Sequence, residues 1–376
     1  MAVTNRFQAL DALRGLAIAL MILVNTPGSW SAVYSPLLHA PWHGFTFADI
    51  VFPGFLFVVG AAMFFALKHA VWQSEWLLKI GKRVVLMFLC GLFLNWFWWH
   101  ELSSLRIMGV LQRIALCYGI AAVLILAIGQ LGRHLTQEQR QQRLNRNLPV
   151  VALLLLVLYW LILQLGTDPY SLEHNVVRQV DLWLFGSAHL YQGFGIAFDP
   201  EGVLSTLPAV VNVLLGYWIA AKLVEFKPAA GVRWLWQVGA LLVLGALLLG
   251  QVWPINKALW TGSYVALSGG LLVWLLALLV WCIDIRGMQK LAEPLRIYGT
   301  NPLFIYMLSW IWAVAFAKLV VWSDGTTLMS AYHYGFLLLN QLMPDKLASL
   351  VFALLHVGLF WWLSYVLYRR QIFIKL

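Results

Sequence analysis

The chain has 376 residues, 62% of them apolar and 11% charged, with a formal net charge of +10. Ordinary soluble domains carry about 25% charged residues, so this composition excludes a soluble globular protein. Repeated apolar runs of about 20 residues, each able to cross a hydrocarbon core of roughly 30 Å, predict an all-α, polytopic integral membrane protein embedded in a lipid bilayer.

Ten transmembrane helices are predicted, over about 9–25, 46–67, 80–98, 107–130, 148–165, 205–222, 233–252, 260–283, 294–321 and 347–368. An even number puts both termini on one side. Residues 1–8 contain no cleavable signal, so the first helix is expected to stay in the membrane. Arg6, Arg14, Lys68, Lys79, Lys82, Arg83, Arg133, Arg140, Arg143 and Arg146 fall on one side of this layout. Lys222, Lys227, Arg233, Arg286, Lys290, Arg296, Arg369, Arg370 and Lys375 join them. The opposite loops carry Arg106, Arg178, Lys257 and Lys346 with most of the acids, Asp324 among them. Basic loops mark the cytoplasmic side, so both termini are expected there. The positive charge thereby encodes orientation, and no nucleic-acid partner is expected.

This predicts one transmembrane domain over 1–376, with outer loops at about 26–45 and 166–204 and a cytoplasmic linker at about 131–147. The linker string TQEQRQQRLNRN reads as solvated chain. Twenty-one Trp and thirteen Tyr suit the belts at bilayer interfaces. Cys90, Cys117 and Cys282 fall inside apolar runs and read as small core residues, and no metal site is expected.

Ionisable and amide side chains are costly at membrane depth and mark candidate sites. In the first span Asp11 and Arg14 lie three apart on one helical face, either as a local ion pair or as a basic group at the mouth of an anion site. Asn25 ends that span in VNTPG. The outer string PLLHAPWHGFTFADIVFP then supplies His39, His43 and Asp49. An imidazole titrates near neutrality and can accept a proton from an amine or hydroxyl. Arg106 and Arg113 sit seven apart in the fourth span, hence on one face, and the deeper Arg113 requires an acid, carbonyls or an anionic ligand. His189, Asp181, Asp199 and Glu201 occupy the long outer loop, where carboxylates suit an ammonium-bearing or hydroxyl-rich ligand. Asn256 and Lys257 (PINKALW) and Asn301 (GTNPLF) are further polar groups at span ends. No GxGxxG, Walker A, GxSxG or HExxH string occurs, so no nucleotide-fold or hydrolase motif competes.

Taken in series, RFQALDALRGLAIALMILVN, HAPWHGFTFADIVFPGFLFVVG, LRIMGVLQR, HLY with DPEGVLST, PINKALWTGSYV and LYRRQIFIKL resemble the heparan-alpha-glucosaminide N-acetyltransferase family and its bacterial NagX-type relatives. LDALRG is also similar to the wider transmembrane acyltransferase group. The resemblance implies transfer of an acetyl group from cytosolic acetyl-CoA to the free amine of a glucosamine-type sugar across the membrane. It implies residence in a bacterial inner membrane with the site open to the periplasm, and a homodimer. His39 matches the family's functional histidine and Asn25 its active-site asparagine, whereas His43 stands where the animal enzyme has Asn.

Under that reading His39 takes the amine proton, while Asn25 orients the imidazole or meets the developing oxyanion. An acetyl-His39 intermediate is the alternative route. Asp49, Arg113, His189, Asp199, Glu201 and Asn301 are the substrate-binding candidates. Arg14, Lys82, Arg83 and Arg296, with Lys290, are the candidates for the phosphates of coenzyme A. The rival functions are O-acylation of envelope polysaccharide hydroxyls and transport of amino sugars without chemistry.

Overall fold

A computed structural model describes residues 7–68, 70–99, 101–130, 136–323 and 328–374. Arg6, Arg133, Asp324 and Lys375, which enter the orientation argument, lie outside the described residues.

The chain is a bundle of helices. In order they are α1 (Gln8–Asn25), α2 (Val51–Ala66), α3 (Ser74–Trp99), α4 (Val110–Gln130), α5 (Gln137–Leu163), α6 (Val176–Phe185) and α7 (Thr206–Leu223). There follow α8 (Pro228–Leu249), α9 (Gly262–Leu279), α10 (Gln289–Tyr298), α11 (Pro302–Lys318), α12 (Ala331–Asn340) and α13 (Asp345–Arg369). A π turn, Val280–Ile285, prolongs α9. Among the described residues, eight helices are long and apolar enough to cross a bilayer, and the α10–α11 pair makes a ninth if counted as one span. The predicted span 80–98 lies within α3, whose first ten residues hold Glu75, Lys79, Lys82 and Arg83. At the α-helical rise its 26 residues cover about 39 Å.

Two expected features take a different form, and a third feature is new. The span at 294–321 is broken, because Gly299 to Asn301 separates α10 from α11 and Pro302 opens the second piece, bending the pair by 67°. The linker string after Thr136 is helical instead of loop. Thr136 accepts the N–H of Gln139 and Gln139 returns the bond, a capping box that starts α5 ahead of its apolar stretch. Lastly, Val320–Ser323 and Leu328–Ser330 pair as a short antiparallel ladder that no apolar pattern announced.

At the centre, α2 and α7 cross at backbone contact. A Cβ on Gly60 would stand 1.8 Å from the Val213 carbonyl oxygen, and one on Gly216 would stand 1.9 Å from that of Phe57. Only glycine permits this approach, which is how helices associate where lipid supplies no hydrophobic drive. Helices α1, α4 and α9 complete the core around them. The periphery is apolar outward: Leu153 and Leu154 on α5, Leu241 and Leu244 on α8, and Leu354 and Leu355 on α13 are all exposed. In a soluble protein such faces would be covered, and in a bilayer they are the surface in contact with lipid.

Candidate active site

At one end of the bundle the loop joining α1 to α2 folds back on the first turn of the second span. Thr46 caps a 3₁₀ turn, Phe47–Ile50, that leads directly into α2, and Asp49 occupies the third position of its capping box. The carboxylate is fully buried. Oδ2 accepts the Thr46 N–H at 2.9 Å and the Ala40 N–H at 3.2 Å, with the Thr46 hydroxyl at 3.1 Å. Oδ1 lies 2.8 Å from Nδ1 of His39. Backbone donors thus hold the carboxylate in one orientation, and the carboxylate orients the imidazole. With Nδ1–H donating to Asp49, the proton-accepting lone pair resides on Nε2. The His39 side chain is half exposed.

A second loop, between α8 and α9, closes on the first. Gly44 N–H donates to the Ile255 carbonyl at 2.8 Å, and Tyr264 at the start of α9 donates its hydroxyl to the Asp49 carbonyl at 2.7 Å. Asn256 accepts the Leu259 N–H at 2.7 Å, while its own N–H donates to Thr261. This framework sets Lys257 beside His39. Lys257 Nζ is 2.9 Å from Nδ1 and 3.0 Å from Nε2 of the imidazole, and 3.5 Å from Asp49 Oδ1. The PINKALW string by itself assigns Lys257 no role. The available signal was a lysine in a Pro- and Asn-bearing outer turn, but only folding shows that it faces a loop more than 200 residues away.

His43 is 3.3 Å from the Asn256 amide, and burial lowers its pKa against a partial upward pull from Asp168. Neighbouring Trp42 donates to the Tyr170 carbonyl at 2.8 Å and packs edge-on against Phe198, which anchors the loop to the long 166–204 segment.

The remaining candidates separate by location. Asn25 ends α1 with an exposed side chain and, among the described residues, makes no hydrogen bond to His39. Asp199 and Glu201 already have a cation. Arg106 Nε and Nη2 grip Asp199 at 2.8 Å each, and Nη2 also reaches Glu201. Burial alone would raise the Asp199 pKa and lower that of Arg106, but their pairing reverses both shifts. Glu201 nonetheless lies within electrostatic range of Lys257, at the margin of the His39 pair.

Arg113 is fully buried. It donates to the Gly202 carbonyl at 3.0 Å and to the Ser205 hydroxyl, and it stacks 4.9 Å from the Trp260 ring centre. Those contacts fasten the DPEG turn to α4. His189 Nδ1 is spent on the Leu105 carbonyl at 2.7 Å, so it braces the loop before α4. Asn301 belongs to the opposite end of the bundle: its amide donates to the Ile372 carbonyl at 3.0 Å and accepts the Ile374 N–H at 2.7 Å.

That opposite end carries two of the proposed phosphate contacts. A cavity of about 160 Å³ runs along α2 from Phe55 to Ala66, with Arg14, Arg83, Tyr118 and Leu303 among its walls. It shares Arg14, Val58, Ala62 and Ala66 with an adjoining hollow of about 330 Å³. Eleven helical steps along α2 correspond to about 16 Å of depth. Arg14 Nη2 meets Asp11 at 3.0 Å, so the expected local ion pair exists and also borders the cavity. Arg83 lies over the Tyr118 ring at 5.0 Å. Lys82 is exposed on α3, and Arg296 reaches Gln8 at 3.3 Å; neither lines this cavity.

Residues 6–137 match the family model described as heparan-alpha-glucosaminide N-acetyltransferase, catalytic. The stretch contains α1 to α4, the His39–Asp49 pair and most of the walls of the α2 cavity, Pro302 and Leu303 lying beyond it. The chain is 26% identical over its whole length to the heparan-alpha-glucosaminide N-acetyltransferase of Homo sapiens, covering 60% of that protein. It is 28% identical over 81% of its length to the protein of the same name from Mus musculus, covering 53% of it. The chain therefore spans a little over half the length of the curated relatives it matches. From the first helix to the last, it is similar to the heparan-alpha-glucosaminide N-acetyltransferases, as its motifs led one to expect.

Proposed function

We propose that the protein is a transmembrane N-acetyltransferase that moves the acetyl group of acetyl-CoA to the free amine of a glucosamine-type sugar, with the His39 end facing the periplasm and the Arg14 end facing the cytoplasm of an inner membrane. The observation that carries this reading is the buried Asp49 carboxylate on Nδ1 of a half-exposed His39, which leaves Nε2 as the basic nitrogen. The α2 cavity supports the donor side. Its apolar walls suit a pantetheine arm, and Arg14 and Arg83 offer positive charge for coenzyme A phosphates.

In this mechanism the acceptor amine loses its proton to Nε2 of His39 as nitrogen attacks the thioester carbon. The C–N bond forms, the carbonyl electrons move to oxygen, and collapse expels the CoA thiolate, which takes the proton from the imidazolium. Orientation of the ring falls to Asp49, and Asn25 is left as a candidate contact for acceptor or acyl group. A two-step route through acetyl-His39 uses the same groups.

The test is thiol release from acetyl-CoA by purified protein, with glucosamine, N-acetylglucosamine and a panel of amino sugars as acceptors. Release that requires a free amine and yields an amide supports the proposal, and His39→Ala is expected to abolish it. Release with N-acetylglucosamine to give an ester indicates O-acyl transfer. Uptake of the amino sugar into sealed vesicles without thiol release indicates transport.

A further inference from the structure

The amine in this reaction attacks a neutral carbonyl, so negative charge must build on the carbonyl oxygen, and a preorganised donor or cation facing that oxygen is the largest available source of rate enhancement. Asp49 is an anion and His39 is occupied with the amine proton. Asn25, the amide considered for this role, forms no described contact with His39.

Lys257 fills the gap. Its Nζ is nearly equidistant from the two ring nitrogens of His39, at 2.9 and 3.0 Å. A donor aligned in the ring plane with one nitrogen lone pair would be much farther from the other nitrogen. The ammonium therefore lies against the ring face, off the in-plane direction of the Nε2 lone pair. The lysine is not a flexible surface group. Its side chain is 18% exposed, its loop is closed by Asn256 and Thr261, and that loop is bonded to the His39 loop through Gly44.

Building on the acetyl-transfer reading, we infer that Lys257 is a catalytic residue whose ammonium donates to the thioester oxygen as it becomes an oxyanion. The balance is simple. The amine lone pair forms the C–N bond, the C=O electrons move to the oxygen held by Nζ–H, and their return breaks the C–S bond. The amine proton passes through His39 to the departing sulfur, and Lys257 keeps its own protons throughout.

The groups facing Nζ are Asp49 and His39 from the loop before α2 and Glu201 from the loop before α7. Burial lowers the lysine pKa, the two carboxylates oppose it, and the net shift is downward. Activity is therefore expected to fall on the alkaline side at a pH below the ordinary lysine range.

The test compares wild type, Lys257→Met and Lys257→Arg in the thiol-release assay with glucosamine. Loss of one oxyanion donor costs about 10²–10³-fold in kcat, and that loss is expected for Lys257→Met, with KM for acetyl-CoA held within about threefold. Lys257→Arg is expected to retain part of the activity, with its alkaline limb moved upward because guanidinium does not titrate there. A lysine whose charge played no part in turnover would leave the alkaline limb in place, and one that merely neutralised Asp49 would leave the kcat of Lys257→Met near that of wild type. An unmoved limb in Lys257→Arg, or a Lys257→Met kcat within about fivefold of wild type, overturns the assignment. Should Lys257→Met fail to fold, the limb of Lys257→Arg alone decides. A wild type that transfers no acetyl group refutes the functional reading itself, whereas an active wild type with unaffected variants refutes only the role of Lys257.

Discussion

Replacing Asp49 by Asn removes one charge and almost no volume, and the surrounding donors dictate where the new amide points. The Thr46 and Ala40 N–H groups both aim at Oδ2. The amide carbonyl must take that position, since an NH₂ there would face two donors. The NH₂ is then directed at His39, 2.8 Å away in the wild type. Nδ1 must become the acceptor, and the imidazole proton moves to Nε2, the nitrogen needed as base. Loss of a positioned general base costs about 10²–10⁴-fold in rate, on the order of 3–5 kcal/mol of barrier. The assay is steady-state thiol release from acetyl-CoA with glucosamine, with thermal unfolding in detergent as the control for folding. The expected result is a kcat loss in that range with KM for acetyl-CoA little changed. A folded Asp49→Asn protein with kcat within about fivefold of wild type would refute the claim that this carboxylate sets the tautomer of His39.

Three further outcomes follow from other parts of the structure. Arg106→Met strands the buried Asp199 and its neighbour Glu201 without their cation, and breaking such a pair costs about 3–5 kcal/mol; adding Asp199→Asn should recover part of the lost thermal stability. Arg14→Ala and Arg83→Ala should raise KM for acetyl-CoA by roughly tenfold, with kcat nearly unchanged, if each gives up one charge-assisted bond to phosphate. Asp181, buried beneath the DPEG turn, has its pKa raised to about 7 by desolvation, with Asp199 adding to the rise while the Val203 N–H and Arg113 oppose it. The folded state thus holds a proton that the unfolded chain releases near pH 4. The associated stability is present below that pH and is lost as pH rises through about 7, on the order of 4 kcal/mol in all. Unfolding scans from pH 4 to 8 should show this decline, and Asp181→Asn should flatten it.

The apolar runs and the charged loops between them determined the class of fold, because a chain of this composition can satisfy its backbone in lipid only as helices. The same strings placed His39 and Asp49 close together in sequence, where a ten-residue loop and a Thr-capped turn keep them within reach. Residues whose partners lie far along the chain were a different matter. Asp199 and Glu201 looked like free outer carboxylates until Arg106, more than 90 residues earlier, was found holding both. Asn301 looked like a site amide and instead fastens the C-terminal segment at the other end of the bundle. Lys257 carried no motif of its own, and only the packing of α9 against the start of α2 brings its ammonium to the imidazole. Hydropathy and capping act over a few residues and can be read in order, whereas charge pairing acts through space and is decided by which loops the helices bring together.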